Sequence, residues 1–236
     1  LALRDIAVPF RAAMNGLVHT FRTQRHMRVH LYVTIIVVLL SFLTNLSRRE
    51  LLVLLFMITF VLVAEMFNSA IEATVDLISP NYHPLAKFAK DIAAGAVLIT
   101  TIMAVVVGLI LFLADDQWER IRLSLGAPSI GMPIAIRIVA GALLVVLATV
   151  IGKGLGKHGR VLQGGLVSGH SALGFYFATC TFFVSDNLLA SAIAVLLASL
   201  VAQSRYEAKF HSFFELSLGA LVGVLFGVML FGLLPK

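Results

Sequence analysis

Three short polar clusters punctuate the C-terminal part of the chain: Lys153 with Arg160, then Ser168-Gly169-His170, then Arg205 followed by His211 and Glu215. Each falls at the end of an apolar run. If those ends meet on one face, Lys153, Arg160, Arg205 and the two histidines surround a small anion, and an arginine fork suits the oxygens of a phosphate. His211 and Glu215 are four residues apart, so on a helix they face each other and the carboxylate can orient the imidazole. The chemistry these types support is phosphoryl transfer. The cations neutralise the phosphoryl group, one histidine attacks phosphorus, and the other protonates the departing oxygen. That scheme requires no metal.

A second set lies further upstream. Glu65, Asn68, Glu72 and Asp76 recur at intervals of three or four and form one stripe of a helix. Each charge near a bilayer centre costs about 2.5 to 3.5 kcal/mol, so the group must bind a cation, a substrate or its own members, an interhelical polar network being the plainer alternative. Lys87 and Lys90 precede Asp91 just beyond. Carboxylates with lysines suit a metal-bound nucleotide, and a lipid hydroxyl accepting a phosphoryl group needs a base. No Walker-type loop is present.

The elements that must position these residues are membrane helices. Hydrophobic residues fill 60% of the 236 positions and charged residues 13%, with mean hydropathy +1.00, which excludes an ordinary water-soluble domain. Seven spans are expected, at 29–46, 51–77, 92–113, 130–151, 171–184, 188–203 and 213–234, preceded by an arginine-bearing surface helix, in an all-α architecture. The polar stretch 114–129 divides a three-span half, 1–113, from a four-span half, 130–236. The net charge of +6 sits in clusters between apolar runs, which points to lipid headgroups and phosphates and not to nucleic acid. Cys180 stands alone, so no intramolecular disulfide is possible. With the N-terminal arginines in the cytoplasm, the positive-inside rule is obeyed and both polar clusters face the cytoplasm. Gly219, Gly223 and Gly227 read as a helix-packing face, and Arg137 as a residue that snorkels outward or pairs with an acid.

The stretch 65–76, Glu-Met-Phe-Asn-Ser-Ala-Ile-Glu-Ala-Thr-Val-Asp, with Ala89-Lys90-Asp91 and the apolar run after it, closely resembles the small prokaryotic diacylglycerol kinase and undecaprenol kinase family. The resemblance covers roughly 10–113. It implies Glu65 as general base, Asn68 positioning the reacting groups, Glu72 binding metal, Lys90 and Asp91 holding nucleotide phosphates, ATP and Mg2+ as cofactors, and a homotrimer with composite sites. Gln24 stands where family members often carry a metal-binding glutamate, and its amide oxygen can still coordinate.

The three C-terminal clusters, in order, resemble the type 2 phosphatidate phosphatase and haloperoxidase superfamily. By that likeness His211 is the nucleophile forming a phosphohistidine, His170 the general acid and Glu215 the orienting carboxylate. Lys153, Arg160, Ser168, Gly169 and Arg205 would hold the phosphate, with no cofactor. Val161 and Val167 replace usual prolines, and Glu215 a usual aspartate.

Together these imply a two-site lipid enzyme of the bacterial inner membrane. It would phosphorylate undecaprenol with ATP and dephosphorylate undecaprenyl diphosphate, both routes yielding undecaprenyl phosphate for wall-polymer synthesis. The alternatives are a phosphatidate or phosphatidylglycerophosphate phosphatase on a silent kinase-like trimerisation scaffold, a diacylglycerol kinase joined to a phosphatidate phosphatase, and a transporter whose intramembrane charges line a pathway.

Overall fold

The computed structural model describes residues 3–44, 46–112, 132–156, 159–160, 163–164, 166–185 and 187–233. Helices α1 (Leu3–Thr23), α2 (Arg25–Leu43), α3 (Arg48–Ile78) and α4 (Pro84–Phe112) come first. They are followed by α5 (Ile134–Leu155), a ladder of two-residue strands β1 (Gly159–Arg160) and β2 (Gln163–Gly164), α6 (Gly169–Val184), α7 (Leu188–Glu207) and α8 (Phe213–Val228). A π-helical turn, Met229–Leu233, extends α8. The all-α expectation therefore holds, apart from a short antiparallel ladder pairing Gly159 with Gly164 and Arg160 with Gln163.

Local signals set the helix boundaries. Ser47 and Glu50 form a reciprocal capping box at the start of α3, Pro80 follows its end, and Pro84 opens α4, where a missing N–H costs nothing. Asn187 caps α7 by accepting from Ala190 N at 3.1 Å. Among the described residues six helices are long and apolar enough to cross a membrane: α2, α3, α4, α5, α7, and α8 with its π turn. The expected fifth span, 171–184, falls in α6, whose 16 residues reach only about 24 Å at the α-helical rise. This short helix packs against α5, α7 and α8. The expected linker 114–129 lies outside the described residues.

The chain clusters into two compact units, Thr23–Arg122 and a second made of Leu1–Arg22 with Leu123–Lys236. In the first, α3 packs along α4 and touches α2. Lys90 of α4 pairs with Asp76 of α3, joining the two helices near their connection.

In the second unit, α6 lies against the glycine face of α8. A Cβ on Gly219 would run into the carbonyl oxygen of Ser168, one on Gly223 into that of Ala172, and one on Gly227 would come within 2.6 Å of Thr179 Cγ2. The small residues thus let two backbones touch, as the sequence pattern implied. Gly152 of α5 likewise makes room for Val167, whose Cγ2 would stand 2.7 Å from an added Cβ. Valine at that position thus fills a place that α5 leaves open. Tyr176, wholly buried, donates to the carbonyl of Ile138 at 3.0 Å. Arg137 does not snorkel outward. It is buried, its guanidinium donating to Leu230 O at 3.4 Å and lying 5.8 Å from the Phe231 ring centroid.

Candidate active sites

Helix ends of the second unit bring the C-terminal clusters together. Lys153, 4% exposed, is in the last turn of α5. Ser168 is the N-cap of α6, with Gly169 and His170 in the first turn, ahead of the apolar stretch 171–184. Arg205 is in the last turn of α7, and His211 lies just before α8. Two bonds lock the start of α6 to α8: Ser168 N donates to Glu215 O at 3.1 Å, and Ser171 Oγ donates to Leu216 O at 2.7 Å. Gly169 completes the approach to α5, since a Cβ there would meet Thr149 Cγ2 at 3.1 Å. Arg160 sits in β1, and its side chain lies outside the described part of the structure.

His211 is 6% exposed and its Nδ1 stands 2.7 Å from Glu215 Oε2. In the neutral ring, a carboxylate partner places the hydrogen on Nδ1 and leaves Nε2 its lone pair. Glu215 also closes a capping box: its Oε2 accepts from Ser212 N at 3.3 Å, while Ser212 Oγ accepts from Glu215 N at 3.4 Å. The third position of a capping box calls for glutamate or glutamine, whose reach an aspartate lacks. One carboxylate therefore caps α8 and orients His211, which accounts for glutamate where aspartate is usual. The Ser-x-x-Glu signature at 212–215 marks this cap in the sequence. Before it, Lys209 takes a left-handed φ of 54°, turning the chain from α7 toward His211.

Ser168 Oγ and Arg205 Nε are buried without a hydrogen-bond partner among the described residues. The Ser168 hydroxyl makes no cap bond, so the first amides of α6 are not answered by it. An oxyanion supplies what these groups lack, and a helix N-terminus favours negative charge. His170 is held below its ordinary pKa by partial burial first and then by the charges of Arg205, His211 and Lys153. Lys153 in turn feels Glu215. The described members of the three clusters thus form one electrostatic group.

An apolar slot of about 410 Å³ between α6, α7 and α8 is lined by Ser171, Phe175, Tyr206, Phe213 and Leu216 among others. Ser171 and Tyr206 directly follow His170 and Arg205 in the chain. The hydroxyls of Ser199 and Ser217, also on its wall, donate to their own helix carbonyls, which leaves the lining oily.

In the first unit, Glu65 is 2% exposed and Asn68 and Ser69 are buried beside it. Asn68 Nδ2 donates to Glu72 Oε1 at 3.1 Å, and Asn68 Oδ1 and Ser69 Oγ are buried without hydrogen-bond partners among the described residues. The charge of Glu65 is felt by both His26 and Glu72. Lys90 is engaged with Asp76, and Asp91 with Lys87 at 2.6 Å on its own helix. Asp76 of the carboxylate stripe and Lys87 are thus their direct partners. Gln24 is the N-cap of α2, and its side chain makes no cap bond. Among the described residues, no three His, Cys, Asp or Glu side chains converge as a metal site. Mg2+ suits one or two carboxylates plus phosphate oxygens, and Glu72 with the unpartnered Asn68 oxygen fits that limited donor set. A second apolar cavity, about 310 Å³, lies between α2, α3 and α4 and is lined by His30, Val37, Leu54, Val61 and Phe112 among others.

The sequence profile described as prokaryotic diacylglycerol kinase matches residues 11–112, and that of the PAP2 superfamily matches 153–236. The undecaprenol kinase of Bacillus subtilis is 40% identical over 104 residues, 44% of this chain and 85% of that protein. The chain belongs to the prokaryotic diacylglycerol kinase family. Its C-terminal domain is a PAP2 superfamily domain, so a lipid kinase family domain and a phosphatase superfamily domain share one multi-pass membrane chain. The diacylglycerol kinase of Synechocystis sp. is 41% identical over 105 residues, 44% of this chain and 60% of that protein. That of Escherichia coli K12 is 51% identical over 51 residues, 22% of this chain and 42% of that protein. The chain thus spans less than two thirds of both these diacylglycerol kinases. No solved structure is significantly similar to it.

Proposed function

We propose that the chain makes a polyprenyl monophosphate by two routes, ATP-dependent phosphorylation of undecaprenol in the kinase family domain and dephosphorylation of undecaprenyl diphosphate in the PAP2 domain. The observation that carries the phosphatase reading is the His211–Glu215 pair beside two buried, unpartnered phosphate-seeking groups, Ser168 Oγ and Arg205 Nε. In this reading the terminal phosphate lies against Lys153, Arg205 and the start of α6. His211 Nε2 attacks its phosphorus, the bond to the lipid-side oxygen breaks, and that oxygen takes the proton of His170. Water then attacks the phosphohistidine, gives its proton to His170, and inorganic phosphate leaves with both histidines restored. The cations of Lys153 and Arg205 raise the acidity of His170. Its proton is therefore easily given, and phosphate dianion favours retaining it until transfer.

In the kinase domain, Glu65 removes the proton of the lipid hydroxyl, while Asn68 holds Glu72 in place and Lys90 answers the nucleotide charge with Asp91 nearby. With ATP, Mg2+ supplies charge neutralisation at the transferred phosphate. Glu72 is the residue that would hold the ion, with Gln24 a second oxygen donor. The family likeness supports a homotrimer. Membrane lipids are the substrates, and the apolar cavities beside each site suit their chains. Seven crossings starting from a cytoplasmic N-terminus would set both sites on the cytoplasmic face.

Substrate choice rests on economy of chemistry. Acting on one glycerolipid, the two domains would undo each other, whereas a prenyl alcohol and a prenyl diphosphate converge on one product. The likeness to the B. subtilis undecaprenol kinase supports this, and that to the Synechocystis diacylglycerol kinase favours a diacylglycerol and phosphatidate pair. A panel of undecaprenol, undecaprenyl diphosphate, diacylglycerol and phosphatidate, assayed with and without ATP, separates the two. Glu65→Gln is expected to abolish phosphorylation of undecaprenol and spare phosphate release, and His211→Ala the reverse. Phosphate release from phosphatidate alone would reject the prenyl reading. Absence of any ATP-dependent product would leave the kinase domain a scaffold.

A further inference from the structure

Lys153 lies in the last turn of α5, and the closing carbonyls of a helix look beyond it for donors. Those carbonyls are met by a side chain from the far end of the sequence. Arg22 Nη2 donates to Lys153 O and to Gly156 O, both at 2.8 Å, and Arg22 Nε donates to Gly154 O at 3.3 Å. Phe21, 1% exposed, lies against Gly154, where any Cβ would overlap the ring. Val18, one turn earlier in α1, is wholly buried. The guanidinium fork is preorganised for such multiple acceptance, and its charge complements the negative end of the α5 dipole.

Arg22 falls within the stretch 11–112 that matches the kinase family, yet α1 clusters with the PAP2 unit. The last turns of this arginine-bearing helix, expected at the membrane surface, also dock on α5.

We propose that α1 is a working part of the PAP2 domain and that Arg22 is a positioning residue for Lys153. By pinning the carbonyls of residues 153, 154 and 156 it fixes the last turn of α5 and so aims the Lys153 ammonium at the phosphate. Gly154 is the matching adaptation on α5, since only a glycine admits Phe21 there. This inference rests on the phosphatase reading of the site.

The test uses the full chain in lipid nanodiscs and measures three things: thermal melting, binding of inorganic phosphate by 31P line broadening, and kcat and KM for lipid-phosphate hydrolysis. Arg22→Ala is expected to weaken phosphate binding and raise KM by about ten-fold, as small misplacements at a reacting centre do, with melting little changed. Arg22→Lys, which offers a point charge in place of a fork, should recover part of the loss. It serves as the reading variant if Arg22→Ala does not fold. Wild-type phosphate affinity in the variant that folds, or a fall in kcat alone that tracks the folded fraction, would overturn the positioning role. Lys153→Met is measured alongside. If it leaves phosphate binding intact, the site reading falls and takes this inference with it. If it weakens binding while the Arg22 variants do not, only the role of Arg22 falls.

Discussion

Glu215 holds two jobs that ordinarily fall to different residues, since its carboxylate both closes the cap of α8 and accepts from His211. Glu215→Gln separates them. Glutamine still serves a capping box, so melting should change by less than about 1 kcal/mol of stability. Phosphate release should fall about 10²-fold or more because the imidazole loses its carboxylate; equal loss of stability and activity would speak against this division. His170 carries a pH prediction. Burial and the charges of Arg205, His211 and Lys153 disfavour its imidazolium, so an acid at this position loses its proton below the usual histidine value of about 6.5. The alkaline limb of kcat/KM for lipid-phosphate hydrolysis should lie below that value. Lys153→Met, by removing a repelling charge, should move the limb of the residual activity upward, and an unmoved or lowered limb would contradict the grouping. That Lys153, His170, Arg205 and His211 lie at helix ends was legible from types and spacing, because each borders an apolar run. The dual use of Glu215 was not, because the His211 spacing and the Ser212 cap signature each give the carboxylate one partner, and neither shows that it serves both.

At the scale of elements, the site depends on how closely α6 and α8 approach. Gly223 and Gly219 set that distance through contacts with backbone oxygens, which cannot rotate away as a flexible side chain would. Gly223→Ala should abolish phosphate release and lower the melting temperature of the PAP2 unit, whereas the ATP-dependent reaction of the kinase domain should persist. Measured side by side in one preparation, equal losses of both activities would argue against this placement. The helices themselves were readable from apolar run length. Two features were not. The segment 171–184 read as a span by hydropathy, yet α6 is short, and it can be short because three neighbours surround it. The docking of α1 on α5 depends on Arg22 bonding to backbone carbonyls, and carbonyls leave no mark in a sequence.

On the scale of the whole molecule, two family domains share a chain, and the kinase-family stretch lends a helix to the PAP2 unit. The sequence division at 114–129 followed polarity, which marks where a chain leaves the membrane and not which helix packs with which. In the kinase domain, the stripe Glu65, Asn68, Glu72 and Asp76 was legible as one helix face, and the structure buries its first two members. What the spacing could not show was that Asp76 would take Lys90 and Lys87 would take Asp91.

The central claim is that phosphate passes through His211. The direct measurement is to mix the purified chain with undecaprenyl diphosphate carrying 32P in its terminal phosphate, quench within milliseconds, and locate the label on the protein by mass spectrometry. The account predicts an acid-labile, base-stable phosphohistidine on the peptide containing His211, absent in His211→Ala. Phosphate release without any such adduct, or label retained in His211→Ala, would contradict it.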